Sequence, residues 1–277
     1  PCSKAHNLGV EKAGGEVIVF FDDDVTLGSI TVVENLVRTL ADSEKIGIAG
    51  ASQIPPPNTT RFQRLCANQL YRGQFPIVSQ IVPSDMATHA GMAIRRNLYR
   101  EVGGEPENLL RNNDSYLRYH VVKAGYRVVI APKTWVYHPM PKTPFLLIKN
   151  RFKDGVAYSH DCKYFPNFIY FTPGKWMGCD SLNHPVQSNL HSQILRNIRV
   201  NINHLINLRL IGFLSRLSMQ LGFLYGFLHN DAWFHNRWQV KFKGEKPKIK
   251  KYAKDGEKLE LLSITEIERK NLENFYR

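Results

Sequence analysis

Apolar residues in this chain gather into short unbroken runs, and between the runs they recur every three or four positions. The first run is Val17, Ile18, Val19, Phe20 and Phe21, all β-branched or aromatic with no polar alternation. That is how a strand buried on both faces of an α/β sheet reads. Ile46 to Ala51 predicts a second buried strand, and Met92 to Ile94, Tyr126 to Ile130 and Trp135 to Tyr137 predict shorter ones. Helical spacing appears between them. Ile30, Val33, Val37 and Leu40 share one face, Ala5 to Ala13 turns Leu8 and its Val10 side inward, and Arg96 to Val102 stops at Gly103-Gly104. Asn112, Asn113 and Asp114 are N-cap candidates for a further helix that buries Leu117, Val121 and Ala124 and ends at Gly125. Pro55-Pro56-Pro57 opens a loop, and no period is legible on to Pro83, although Tyr71 to Phe75 could line a site.

The chemistry begins where the first run ends. Asp22, Asp23 and Asp24 follow Phe21 directly, and ligands of open α/β sheets bind at the carboxyl ends of strands. Adjacent carboxylates repel, so a cation is expected among them. Mg²⁺ and Mn²⁺ are commonly held by one or two carboxylates together with substrate phosphates, which points to a metal clamping a phosphorylated ligand. An acidic turn or helix start is the alternative, because Asp is favoured at both. Asp114 falls at a helix N-terminus, where the dipole favours its charged form; that suits a cap and equally a general base. His138 closes a short strand just before Pro139 and reads either as a structural histidine or as a ligand.

A chain of 277 residues with 43% hydrophobic content allows one large domain, or one with an appendage. The net charge of +13 implies an acidic partner: nucleic acid, anionic membrane or a phosphorylated substrate. Cys2, Cys66, Cys162 and Cys179 make no CxxC pair and no zinc spacing, which fits isolated thiols on the cytosolic side. From Pro144 the character changes. Phe145 to Ile148 precede Lys149, Arg151 and Lys153, the stretch to Pro185 is aromatic with Lys and His, and Leu190 to Leu228 carries a long apolar pattern. Arg209, Gly212, Arg216 and Gln220 share one helical face of it. Leu210 to Leu228 is long enough to span a bilayer, but Arg216 at mid-depth costs roughly 2.5 to 3.5 kcal/mol on insertion scales. A helix lying in the headgroup region of an anionic membrane surface is the cheaper arrangement; a hairpin packed on the first domain and a single span are the alternatives. The lysine run Lys241 to Lys254 adds attraction to a cytoplasmic leaflet. No zinc finger, RNA-recognition aromatic motif or helix-turn-helix is legible, so no nucleic-acid partner is expected.

The segments NLGVEKAGGEVIVFFDDDV, THAGMAIRRNLYREVGG, NNDSYLRYHVVKAGYRV and VYHPMP, in that order and spacing, resemble the family 2 glycosyltransferases of GT-A fold. The resemblance covers residues 5 to about 141, roughly half of the chain. It implies a Rossmann-like mixed sheet flanked by helices over residues 1–143; the apolar and basic patterns beyond it predict a helical, membrane-associated region over 144–240 and a basic tail over 241–277. Asp22 and Asp24 match the family's D-x-D positions, so the resemblance implies that Asp24, with Asp22, holds Mg²⁺ or Mn²⁺ on a nucleotide-diphospho-sugar. Asp23, Gly91 and Met92 then belong to the donor site, Asp114 is the base, and His138 lies near the metal or diphosphate. Asn113 stands where the family has Glu, and Tyr116 where a further acid is common. Family members begin with nucleotide-binding strands that precede the first residue here, a gap on the order of 50 to 60 residues, so a truncated sequence is expected. The implied activity is inverting transfer of a sugar to a glycan or lipid-linked acceptor at the cytoplasmic face of a membrane. A non-catalytic, membrane-associated scaffold is the rival.

Overall fold

The computed structural model describes residues 2–70, 73–164, 190–242, 252–254 and 257–259. The chain divides into two compact units, Pro1–Leu228 and His229–Arg277. In chain order the first unit holds α1 (Cys2–Lys12), β1 (Val17–Phe20), β2 (Thr26–Leu27), α2 (Val32–Ala41), β3 (Ile46–Ile54), α3 (Arg61–Gln69), β4 (Val82–Pro83), β5 (Met92–Arg95), α4 (Arg96–Glu101), α5 (Asn113–Lys123), β6 (Arg127–Tyr137), α6 (Pro144–Tyr164) and α7 (Leu190–Ile206). α8 (Leu210–Phe242) starts in it and leaves helical dihedrals at His229, where the second unit begins. That unit carries the antiparallel pair β7 (Tyr252–Lys254) and β8 (Glu257–Leu259). The aromatic stretch to Pro185, Tyr71, most of the lysine run and the terminal stretch beyond Leu259 lie outside the described residues.

The sheet runs in the order β1-β5-β3-β6-β2, with β4 also on β6. β3 and β6 are parallel, whereas β5 runs antiparallel to both β1 and β3, so the sheet is mixed. Side chains from its two faces form two cores. Ile18, Phe20, Ile48, Met92, Ile94, Val128 and Ile130 pack against Val10 of α1, Leu98 and Tyr99 of α4, and Leu117 and Val121 of α5. Ile46, Ala49, Ala51, Ala93, Val129 and Val136 pack against Val32, Leu36 and Leu40 of α2. Helices therefore flank both faces, and β1 ends with Phe20 opposite Met92, the first residue of β5.

Several sequence expectations change in detail. β1 alternates between buried Ile18 and Phe20 and half-buried Val17 and Val19; it pairs with β5 alone among the described strands, and the α2 side covers it only in part. The two strands expected at 126–130 and 135–137 are one strand, β6, irregular around Lys133, whose φ is 51°. The stretch after the three prolines holds α3, opened by a reciprocal cap between Thr60 and Gln63. Phe75, expected to line a site, goes into the core.

Two of the later helices are arranged with their polar residues facing each other. Arg216 of α8 donates to Asn197 Oδ1 of α7 at 2.8 Å, and Asn201 donates to Gln220 Oε1 at 2.9 Å. Arg209 reaches the carbonyls of Asn68 and Gln69 at the end of α3. The face expected to meet headgroups is thus turned onto α7 and α3. Leu195, Ile198 and Ile202 of α7 and Leu221, Leu224 and Phe227 of α8 are exposed instead, Phe227 at 69%. Leu210–His229 is long and apolar enough to cross a membrane by length and composition. α8 also meets α6 at backbone distance: a Cβ on Gly155 would collide with the Met219 carbonyl, one on Gly222 with the Phe152 carbonyl, and one on Gly226 with Ser159.

Candidate active site

β1 ends in a turn closed by Val25 N–H donating to the Asp22 carbonyl at 3.4 Å. β2 then pairs Thr26 with Tyr137 and Leu27 with Val136 at the end of β6, and that pairing carries Asp24 to His138. His138 Nε2 stands 3.7 Å from Asp24 Oδ1, and its backbone N–H donates to Ile54 at 3.0 Å. One ligand atom each from Asp22, Asp24 and His138 falls within 4.8 Å of the others. Nδ1 of His138 is buried with no protein hydrogen-bond partner. Two carboxylates and an imidazole are hard or borderline donors of the kind Mg²⁺ and Mn²⁺ accept, so the residues present fit a divalent ion. Asp23 is exposed in the turn.

Asp114 reaches the same place from α5. Its carboxylate faces Asp22 closely enough that burial first, and then the Asp114 charge, push the Asp22 carboxyl above the usual range. Asn112, the N-cap of α5, is in the left-handed region at φ 62° and makes no side-chain cap. Asp114 is therefore held by other means. Its Oδ1 accepts the backbone N–H of His89 at 2.8 Å and contacts His89 Nδ1. Gly91, two residues on, donates to the Thr88 carbonyl at 3.0 Å and its own carbonyl accepts from Ala51 at 2.8 Å, leaving a Cβ little room against Ala51 and Val136. Met92 is wholly buried in the core beneath.

Behind Asp114 lies a buried network. His89 Nε2 approaches Glu105 Oε1 at 2.7 Å, bent away from hydrogen-bond alignment but close enough for charge pairing. Glu105 Oε2 accepts from His6 Nδ1 at 3.0 Å and from Asn113 Nδ2 at 3.2 Å. Burial alone would neutralise His89, but the Asp114 and Glu105 carboxylates outweigh it and raise the imidazole to about 10. Burial likewise opposes ionisation of Glu105, and contacts from His6 and His89 reverse this, lowering it to about 2. Asp114 is held well below the carboxylate range by His89 and Arg118 against its own desolvation. His6, His89 and Glu105 are also spaced as a metal group could be, but both ring nitrogens of His89 already face carboxylates.

Residues 1–157 match the family model described as "Glycosyltransferase like family 2", more than half of the chain. The chain belongs to that family. It is 24% identical over 160 residues to the O-antigen chain rhamnosyltransferase RfbN of Salmonella typhimurium, a match covering 55% of this chain and 51% of RfbN. The chain thus spans about half the length of that relative. A solved structure, the mannosyltransferase PcManGT from Pyrobaculum calidifontis in complex with GDP-Man and Mn²⁺, is 14% identical with a TM-score of 0.49, covering 83% of this chain and 67% of that one.

In this family 2 glycosyltransferase the structure brings Asp22, Asp24, His138 and Asp114 to one end of the sheet. Sequence reading did not reach Glu105 or His6. They stand 99 positions apart, and neither lies in a spaced motif. The one available signal was the Asn at position 113, which left a carboxylate to be sought elsewhere.

Proposed function

We propose that this chain carries the catalytic part of an inverting, metal-dependent glycosyltransferase of hexosyltransferase type. It passes a sugar from a nucleotide-diphosphate donor to a hydroxyl of a glycan or lipid-linked acceptor. Residues 1–143 carry the chemistry, 144–240 meet the membrane and 241–277 form a basic tail. The supporting observation is the convergence of Asp22, Asp24 and His138 beside Asp114. A divalent cation held by the first three supplies charge compensation for the departing diphosphate. Asp114 accepts the proton of the attacking hydroxyl from the opposite face. The O-antigen activity in the name of the Salmonella relative makes a growing cell-surface polysaccharide the favoured acceptor class.

The cytoplasmic face of a membrane is the favoured place of work. Support comes from the exposed leucines and isoleucines of α7 and α8, whose polar residues are satisfied between the helices. Arg216 already has a hydrogen-bond acceptor there, which lowers the cost of bringing this pair against lipid.

The test is release of nucleoside diphosphate from GDP-mannose, dTDP-rhamnose and UDP-glucose by the full chain with Mn²⁺ or Mg²⁺. Turnover of at least one donor, lost in chelator and lost in Asp114→Asn, is the expected result. A folded chain inert toward every donor and acceptor would instead support the scaffold.

A further inference from the structure

A carboxylate with no exposed surface is costly unless it is fully partnered, and Glu105 is such a group, with its side chain at 0%. Three elements converge to hold it. Asn7 of α1 donates to its carbonyl at 2.7 Å and accepts its N–H at 3.1 Å, and Tyr99 of α4 donates to the same Asn7 oxygen at 2.7 Å. Asn113 of α5 donates to its Oε2 and also contacts Ser3. His89 is 7% exposed, stacked on His6 at 4.1 Å and 22°, with Phe20 edge-on at 5.0 Å. Asp114 is the more open end of the line, its side chain 32% exposed against 7% for His89 and 0% for Glu105. The line Glu105–His89–Asp114 therefore runs from a fully buried carboxylate, through a clamped imidazole, to a carboxylate at the mouth of the site.

Resting on the reading of Asp114 as the base, we propose that Glu105 and His89 are the positioning residues of Asp114, replacing the carboxylate that Asn113 does not provide. Glu105 fixes the His89 ring, and His89 holds Asp114 Oδ1 through both its backbone N–H and its ring. Both contacts fall on Oδ1, so Oδ2 is the oxygen offered to the acceptor. In the transfer step the acceptor O–H bond breaks and its proton goes to Oδ2. The electron pair left on oxygen forms the new bond to the anomeric carbon, and the diphosphate departs with the pair of the old one. The proton on His89 stays where it is. A logic of this kind, in which one buried acid orients an imidazole, is general for catalytic groups that act as a unit.

The experiment compares Glu105→Gln, Asp114→Asn and the double variant in the full chain, by steady-state release of nucleoside diphosphate from the best of the three donors. Glu105→Gln keeps size and an acceptor oxygen. Expected are a kcat loss approaching the roughly 10²- to 10⁴-fold loss of Asp114→Asn, an unchanged donor KM, and a double variant no worse than Asp114→Asn alone, because the groups act as a unit. Wild-type kcat in folded Glu105→Gln, or losses that multiply in the double variant, overturns the proposal while leaving Asp114 as the base. Full activity in Asp114→Asn overturns the base itself, and the proposal with it. If Glu105→Gln does not fold, ¹⁵N NMR of histidine-labelled wild type decides. Both nitrogens of His89 should be protonated at pH 8, with Asp114, Glu105, Asp22, His6 and Tyr99 as the titratable groups around it; a neutral ring there overturns the clamp.

Discussion

Metal binding at Asp22, Asp24 and His138 has a consequence that can be measured without any substrate. Ligand distances to Mg²⁺ are about 2.0–2.1 Å, so two ligands of one ion stand at most about 4.2 Å apart. The 3.7 Å between His138 and Asp24 already satisfies this, and spacings up to the 4.8 Å bound close by about 0.6 Å, a side-chain rotation. Before an ion arrives, Asp24 contributes to raising the Asp22 carboxyl, behind burial and Asp114, so the site is under mutual repulsion. Free metal at a hundredfold its Kd stabilises by about 2.7 kcal/mol. For a unit of this size each kcal/mol moves the melting temperature by about 2–4 °C, so the full chain should gain about 5–10 °C in Mn²⁺ or Mg²⁺. Asp24→Ala should melt no lower than wild type in chelator, because a repulsion is gone, yet gain nothing from metal. The assay is thermal denaturation with and without chelator. A metal shift that survives in Asp24→Ala, or none in the wild type, would refute the assignment.

Stability should depend on pH through the buried network. Glu105, lowered to about 2 from 4.5, contributes stability that is present above pH 4.5 and lost as pH falls toward 2. His89, raised to about 10 from 6.5, contributes stability that is present below pH 6.5 and lost as pH rises toward 10. Denaturation midpoints of His89→Gln should therefore fall less steeply on the alkaline side than those of wild type. Gly222→Ala drives a methyl into the Phe152 carbonyl and should cost about 1–3 kcal/mol in denaturant unfolding, whereas an unchanged midpoint would mean that α6 and α8 do not touch. Leu221→Asp with Leu224→Asp removes two exposed apolar groups worth about 1.5–3 kcal/mol each on burial, so sedimentation with phosphatidylglycerol vesicles should drop at least about tenfold. Sedimentation equal to wild type would take α8 off the lipid.

The layered fold was legible because its signals are local. The apolar run at Val17 and the glycines at 103, 104 and 125, all with positive φ, each act within a few residues; the inward face of α2 was misplaced, because Val32, Leu36 and Leu40 are buried while Ile30, Val33 and Val37 of the expected face are exposed. Thr60 and Gln63 were also legible as a capping box, but the three prolines before them drew the reading toward a loop. The acids at 22–24 and His138 could be singled out one by one. That β2 pairs with the end of β6, and so sets Asp24 beside His138, is a tertiary fact that no local pattern encodes. The same holds for Glu105: a lone acid after a glycine pair carries no sign of burial, and its partners come from α1 and α5. In α8 Arg209, Gly212, Arg216 and Gln220 were read as sharing a face, but which way that face turned depended on whether α7 offered Asn197 and Asn201 to it.

The glycine contacts between α6 and α8 tie the two helices together mechanically. Helices separated by side chains can roll and slide by rotamer adjustment, but Gly155 and Gly222 each face a backbone carbonyl of the other helix, with no side chain between to absorb displacement. α6 begins at Pro144, shortly after His138. A displacement of the outward leucines of α8 is therefore passed to α6 through backbone contact, and so toward the stretch just before α6 that carries His138.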